Sequence, residues 1–555
     1  VLSSPVFRFL LPTQNPLGFG AVDFVALGLA VLLVAVFLTR EAALSMARRF
    51  AGRTMLCMAL LGALPIVLRL ALLPHHPVPV PRVADDFSYL LLGDTLAHFR
   101  FANPMHPMHR FFEGVFTVQD PTWSSIYPLG QGLVLAFGQL VFRQAWVGVA
   151  LSVGVLCALC YWMLRAWVSP SWALLGGLLA AIEFGPLSSW MNTYWGGAVS
   201  GIAGCLVFGA LPRLRQTGRT RDAVLLGIGL GLELLTRPFE FVLLVVIVIL
   251  FFVPIRRLTI AALVLLPAFG LMLLQNKQVT GSWTTLPYQL SRYQYGIPAT
   301  FTFQPNPIPH RPLTVEQQID YDAQIDVHGK TTDTVGSYLA RLGGRVRFYR
   351  FFFLAPLYLA LPWFLPALRQ YRYAWIVIAL GLLSLGDAFY PYFYPHYIAA
   401  ATCLFLLVSV ISLEKVSRWN HEAATLILVL CLAHFVFWYG IHLNGNPNLL
   451  LALSPEESWD SIDNYSAGYS DLTGRIAINN RLAAEGGRQL VFVRYYPQRT
   501  AREWIQNAAD IDQSRVVWAL DLSPDEDAIL RRYYPDRHAW LLEPDAVPPK
   551  LTPLL

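Results

Sequence analysis

Charge is scarce in this chain. Of its 555 residues only 14% are Asp, Glu, Lys or Arg, against about 25% in an average soluble protein. With 55% of the residues hydrophobic, that deficit excludes a disordered chain and argues against an ordinary soluble enzyme. Cysteine is scarce as well. Cys57, Cys157, Cys160, Cys205, Cys403 and Cys431 all sit in apolar runs and none in the long polar loops, so no disulfide framework is expected. Cys157 and Cys160 form a C-x-x-C, but inside an apolar segment where packing is the expected role. The sequence also lacks internal repeats, low-complexity tracts and a Gly-rich phosphate loop. Its net charge of +6 is no nucleic-acid signal, because the arginines fall in short loops between apolar runs.

What the chain has is apolar runs, at roughly 21–38, 54–73, 127–142, 146–164, 171–187, 197–211, 223–235, 239–254, 258–274, 351–367, 374–389, 397–412 and 424–443. Runs of this kind mark a polytopic α-helical membrane protein. The first lacks a basic n-region and leads into an arginine-rich loop, so it reads as a retained span rather than a cleaved signal. Basic clusters set the orientation: Arg40, Arg48, Arg49 and Arg53; Arg213, Arg215, Arg219 and Arg221; Arg256 and Arg257; Arg369 and Arg372; Lys415 and Arg418. Placing all five in the cytoplasm requires an odd number of crossings between the loop 74–126 and residue 212. Four runs lie there, so one does not cross. The segment 127–142 is short, opens Tyr-Pro and holds Gly130, Gly132 and Gly138, which suits a juxtamembrane or re-entrant piece. About twelve transmembrane helices follow, with both termini outside.

Loops 74–126, 188–197, 236–240, 275–345 and 390–397 then share the outer side. The basic end of the fourth (Arg341, Arg345, Arg347, Arg350) opposes the positive-inside trend and suggests anionic lipid or phosphate. The membrane unit spans 1–443. Residues 444–555 turn polar and read as a small extracytoplasmic α/β domain: strands at Leu490–Arg494, Val516–Leu520 and Ala539–Leu542, a helix at Thr500–Ala509, and another opened by Ser523-Pro524-Asp525-Glu526, where Ser is N-cap, Pro N1 and Glu N3.

Chemistry is expected in the first outer loop. Asp85 and Asp86 follow the end of an early span, and carboxylates beside lipid tend to be functional. Either can serve as a general base toward a hydroxyl, or the two can share a divalent cation such as Mg or Mn; the competing reading is a solvated helix cap. His106 and His109 offer a conceivable metal contribution, although Pro107 between them breaks helical spacing. Tyr127, in Tyr127-Pro128-Leu129, suits an aromatic belt or sugar stacking. Arg237 lies in Thr236-Arg237-Pro238-Phe239-Glu240, where proline breaks a helix at membrane depth, as happens where a cavity is lined; its alternative is a snorkelling arginine paired with Glu233 or Glu240. His396 sits in an aromatic segment. Asn192, Tyr194 and Trp195 combine an amide with aromatic faces, suited to a sugar or to tight helix packing. Lys277, Arg292, Arg347 and Arg350 are further phosphate candidates, and Glu183 and Asp387 are ordinary intramembrane acids.

An outer acidic pair after an early span, a juxtamembrane loop and Tyr127-Pro128-Leu129 opening an apolar segment together resemble the GT-C superfamily, nearest its protein O-mannosyltransferase and aminoarabinose transferase branch, best over 54–275. The resemblance implies a polyprenyl-phosphate-linked sugar donor, a lipid, glycan or protein acceptor, inversion at the anomeric carbon, and a base at Asp85 or Asp86. Related mannosyltransferases carry Asp-Glu and Tyr-Pro-Pro where this chain has Asp-Asp and Tyr-Pro-Leu. A bacterial inner membrane with the site on its periplasmic face is the simplest location. A transporter or flippase would show inverted repeats and midplane polar residues, which the sequence lacks. A non-catalytic scaffold would leave the Asp-Asp loop and the Arg-Pro break unexplained.

Overall fold

The structure is a computed structural model that describes residues 50–251, 254–445, 474–496 and 503–554. The run at 21–38 and Arg40, Arg48 and Arg49 lie outside the described residues. The chain builds α1 (Thr54–Ala71) and α2 (Ala84–Ala97), then a small antiparallel ribbon of β1 (Asn103–Pro104), β2 (Thr117–Val118) and β3 (Thr122–Ser125) in the order β1-β3-β2. Next come α3 (Leu129–Phe142), α4 (Ala145–Leu164), α5 (Pro170–Glu183), α6 (Ala198–Thr217), α7 (Thr220–Thr236), α8 (Pro238–Leu250) and α9 (Ile255–Thr280). The long loop carries α10 (Pro287–Tyr295), α11 (Val315–His328) and α12 (Val335–Gly344). The bundle ends with α13 (Tyr371–Asp387), α14 (Thr402–Trp419) and α15 (His421–Asn444).

Among the described residues six helices are long and apolar enough to cross a membrane: α1, α4, α6, α9, α14 and α15. Shorter apolar helices are α3, α5 and α8. The protein is an integral membrane protein. The run at 351–367, expected as a span, forms three 3-10 segments instead, Val346–Phe352, Ala355–Leu359 and Leu361–Arg369. Pro356, Pro362 and Pro366 remove amide donors at short intervals, so no continuous α-helix can form there.

Both ends of α3 lie at one end of the bundle. Its start packs on Thr236, where a Cβ at Gly130 would collide with the threonine hydroxyl. Its end turns through Arg143, at φ 58, directly into Trp146, whose indole donates to the Met191 carbonyl at 2.8 Å. Asn192, beside Met191, accepts from Arg69 at the end of α1 at 2.7 Å. The arginine clusters occupy the other end: α7, α9 and α13 each start beside one, and α14 ends at another. All six cysteines are buried and unpaired.

The C-terminal unit holds α16 (Arg475–Ala484), β4 (Arg488–Val493), β5 (Val516–Leu520), α17 (Pro524–Tyr533), β6 (Arg537–Glu543) and β7 (Lys550–Pro553), with sheet order β5-β4-β6-β7. β4 runs parallel to β5 and β6, and β7 closes the edge antiparallel. Ser523 caps α17, its side chain accepting from the Glu526 amide. Over 503–509, the described part of the expected helix Thr500–Ala509, the backbone is irregular. Asn507 explains this, because its amide is committed to both backbone groups of Trp518, at 2.8 and 3.0 Å, and so pins the segment to β5. Alternation along the strands splits the core. Leu490, Phe492, Val517 and Ala519 pack with Phe111, Phe112 and Trp123 of the first long loop, whereas Val491, Val493 and Trp518 pack with Trp504 and Trp540. The unit is therefore seated on that loop, and Asp94 of α2 seals the contact by accepting from the Ala509 amide at 2.7 Å.

Candidate functional site

α2 starts at the end of the bundle opposite those short-loop arginine clusters, and its first turn places Asp85 and Asp86 where the helix dipole favours negative charge. The two carboxylates diverge. Asp86 is buried and accepts the backbone N–H groups of Arg82 at 3.0 Å and Tyr194 at 2.9 Å. Asp85 turns into a cavity of ≈270 Å³ and accepts from the Tyr127 hydroxyl. Burial raises both pKa values, Asp86 to about 6, while the Tyr127 hydrogen bond restrains the rise at Asp85. Tyr127 is itself held on two sides. Tyr89 stacks on its ring at 4.1 Å with 8° between the planes, and Gln275 of α9 donates to its carbonyl at 2.8 Å.

Arg237 faces the same cavity. It occupies the break between α7 and α8, where Pro238 begins the second helix and Gly130 lets α3 approach closely enough to bring Tyr127 to the same wall. The guanidinium pairs with Glu240 at 3.6 Å and lies 4.7 Å from the Tyr397 ring centroid. Three helices then add pairs four residues apart, each on one helix face: Asp85 and Tyr89 on α2, Tyr288 and Arg292 on α10, and Asp320 and Gln324 on α11. Arg292 donates to the carbonyls of Pro298 and Ala299, both at 3.0 Å, which shapes the wall it lines.

The aromatic segment after α13 forms an arch over the cavity. Tyr390, Tyr392, Tyr394, His396 and Tyr397 line it, and Trp195 meets His396 edge-on at 4.6 Å. Burial and the nearby Arg237 hold His396 well below the usual histidine range. It therefore enters as a neutral imidazole, able to hydrogen-bond a ligand but not to neutralise a phosphate. Arg345 fixes the arch by donating to the carbonyls of Asp387 at 2.6 Å and of Tyr390 and Tyr392. Arg341 pairs with Asp333; burial pushes that carboxyl up, but the hydrogen bonds from Arg341, Thr302 and Ser337 together outweigh it and bring its pKa down to about 2. The basic end of the long loop thus has structural work: Arg341 and Arg345 clamp the arch, and Arg347 and Arg350 do not line the cavity.

Asp85, Tyr127, Trp195, Arg237, Glu240 and His396 come together as cavity lining. Other sequence candidates go elsewhere. Tyr194 is buried behind the wall, its hydroxyl donating to the Pro79 carbonyl at 2.8 Å. Asn192 is committed to Arg69 and to the carbonyls of Pro186 and Ser188. Lys277 is exposed and donates to the Gly281 carbonyl at 2.6 Å, closing the end of its own helix. His106 contacts Asp512 at 3.1 Å and Tyr534 at 3.2 Å in the C-terminal unit, while His109 lies 3.5 Å from Glu113. Among the described residues no three His, Cys, Asp or Glu side chains group as a metal site. Asp85 and Asp86 point apart, so this donor set does not fit a shared cation. Sequence reasoning missed Tyr89, Tyr288, Asp320 and Gln324, although Tyr89 stands one helical turn from Asp85 and was readable from spacing alone.

No family model matches the chain, and no curated protein matches it. Among solved structures it is similar to ArnT from Cupriavidus metallidurans bound to undecaprenyl phosphate, at 12% identity and a TM-score of 0.49, covering 87% of this chain and 92% of that one. The apo state of the same protein gives 12% identity and a TM-score of 0.48 over the same shares. The archaeal oligosaccharyltransferase AglB from Archaeoglobus fulgidus, in complex with an inhibitory peptide and a dolichol-phosphate, gives 11% identity and a TM-score of 0.37, covering 78% of this chain and 62% of that one.

Proposed function

We propose that this chain is a membrane glycosyltransferase of the GT-C kind, moving a sugar from a polyprenyl-phosphate donor to an extracytoplasmic acceptor hydroxyl with inversion. One observation carries the reading: a carboxylate with raised pKa, Asp85, and a guanidinium, Arg237, face one aromatic-walled cavity at the end of a membrane bundle. A phosphate-linked sugar needs a cation for the departing phosphate, and the attacking hydroxyl needs a base. Arg237 and Asp85 are of those two types.

In this reading Tyr127 donates to Oδ1 of Asp85 and leaves Oδ2 for the acceptor. The acceptor hydroxyl gives its proton to Asp85 as its oxygen bonds to the anomeric carbon. The bond from that carbon to the phosphate oxygen breaks, and the electron pair leaves on the phosphate toward Arg237, with Arg292 as a second cation. The tyrosines, Trp195 and neutral His396 offer faces and hydrogen bonds to the sugar. Val242, Val246 and Ile249 form an exposed apolar stripe on α8 leading away from the cavity, a path for the lipid tail. The site then lies on the outer, in a bacterium periplasmic, face.

The test is transfer of radiolabel from a panel of polyprenyl-phosphate sugars by purified protein, with membrane extract as acceptor and with and without chelator. Loss of transfer in Asp85→Asn with donor binding retained supports the reading. No binding and no transfer with any donor would overturn it.

A further inference from the structure

A second cavity lies in the C-terminal unit, with a volume of ≈610 Å³. Arg481, Arg531, Arg537 and His538 line it together with the rings of Tyr534 and Trp540, and the carboxylate in its wall is Glu485. Its floor is unusual. Arg537 is buried, and among the described residues its terminal nitrogens donate only to backbone carbonyls, those of Ser514 at 2.8 Å, Asp512 at 2.7 Å, Gln489 at 3.2 Å and Arg515 at 3.3 Å. Its Nε is buried without a partner, and among the described residues no carboxylate reaches it within ion-pair distance. A buried cation bonded to neutral dipoles, with Asp536 and Asp512 near it but beyond ion-pair distance, is only partly neutralised and keeps a positive field toward the adjoining cavity. Arg481 and Arg531 are exposed at the rim; Arg481 lies over the Trp540 ring, 5.5 Å from its centroid, and donates to the Leu551 carbonyl at 2.9 Å through one terminal nitrogen.

We infer that this cavity binds an anionic saccharide, one bearing a phosphate or a carboxylate, as the docking group of the acceptor. The volume exceeds that of a bare anion and suits a sugar unit. Guanidinium groups at rim and floor recognise the charge, and the rim arginines and His538 leave donors for the sugar hydroxyls. The site is joined to the first long loop, since Tyr534 lines the cavity while its hydroxyl reaches Asp512 and His106. The acceptor role rests on the proposed transferase reading; the binding itself does not.

The test is calorimetric titration of the full-length detergent-solubilised protein with glucose 1-phosphate, glucuronate and glucose, with no donor present. The expected result is binding of at least one anionic sugar tenfold or more tighter than glucose, with the two arms telling phosphate from carboxylate. The double variant Arg481→Gln, Arg531→Gln should weaken that binding at least tenfold; it loses the Arg481 bond to the Leu551 carbonyl and so lowers the melting temperature slightly, and the titration is run well below it on the folded protein. Anionic sugars that bind no tighter than glucose, or a double variant that binds as wild type does, would overturn the inference. Transfer that proceeds without such binding sinks only this inference; binding that persists in a protein with no transfer activity sinks only the transferase reading.

Discussion

The hydroxyl of Tyr127 donates to the carboxylate of Asp85 across 42 residues of sequence, while the neighbouring Asp86 faces the other way, into the backbone of Arg82 and Tyr194. Two adjacent and chemically identical residues therefore have separable tasks. Asp85→Asn should lower sugar transfer by about 100-fold or more and leave the melting temperature unchanged. Asp86→Ala strands two backbone donors and should cost about 1–3 kcal/mol of stability. Parallel transfer assays and thermal unfolding separate the two.

The pH profiles of stability and activity should slope in opposite directions. Asp86 holds its proton more tightly in the fold, at a pKa of about 6 against 3.8. Its contribution is full below about 3.8 and is lost as pH rises through about 6, a fall of roughly 3 kcal/mol. Transfer should instead rise with pH, as Asp85 loses its proton at a pKa that burial has raised. Unfolding curves between pH 4 and 8 should flatten in Asp86→Asn; curves that keep the wild-type slope would reject the assignment.

Arg237→Gln removes the cation at the helix break and leaves Glu240 without its partner. Donor affinity should fall by about 10- to 100-fold, the effect of losing a charge-assisted hydrogen bond. Arg237→Lys should recover part of it. Equilibrium binding of a labelled polyprenyl-phosphate sugar reads this directly, and unchanged affinity in the glutamine variant would count against a phosphate role.

Gly130→Ala places a methyl group against the Thr236 hydroxyl. The helices must separate, at about 1–3 kcal/mol, and Tyr127 moves away from Arg237. Lower melting temperature and lower transfer are expected together. Thr236→Ala in the same chain should restore part of both; no recovery would mean that the close approach is unrelated to the defect.

Six membrane-length helices of the expected twelve or so are found among the described residues, and these were legible because each needs only local apolar composition. Arg237 was legible because proline marks a helix break without reference to anything else. The divergence of Asp85 from Asp86 was not, because it depends on which backbone amides arrive beside them from residues 82 and 194. The run 351–367 misled because hydropathy counts side chains, whereas prolines act through the backbone. Arg341 and Arg345 looked like anion ligands because their partners, Asp333 and the carbonyls at 387–392, are fixed only by tertiary packing. His106 looked like a metal ligand for the same reason, its partners lying some 400 positions on, at Asp512 and Tyr534.

Arg345 grips the aromatic arch by its carbonyls and touches none of its lining side chains through those bonds. Every amino acid brings the same carbonyl, so residues 390 and 392 are interchangeable as far as the clamp is concerned. The roof can be re-tailored to a different ligand by substitution alone, without rebuilding the frame that carries it.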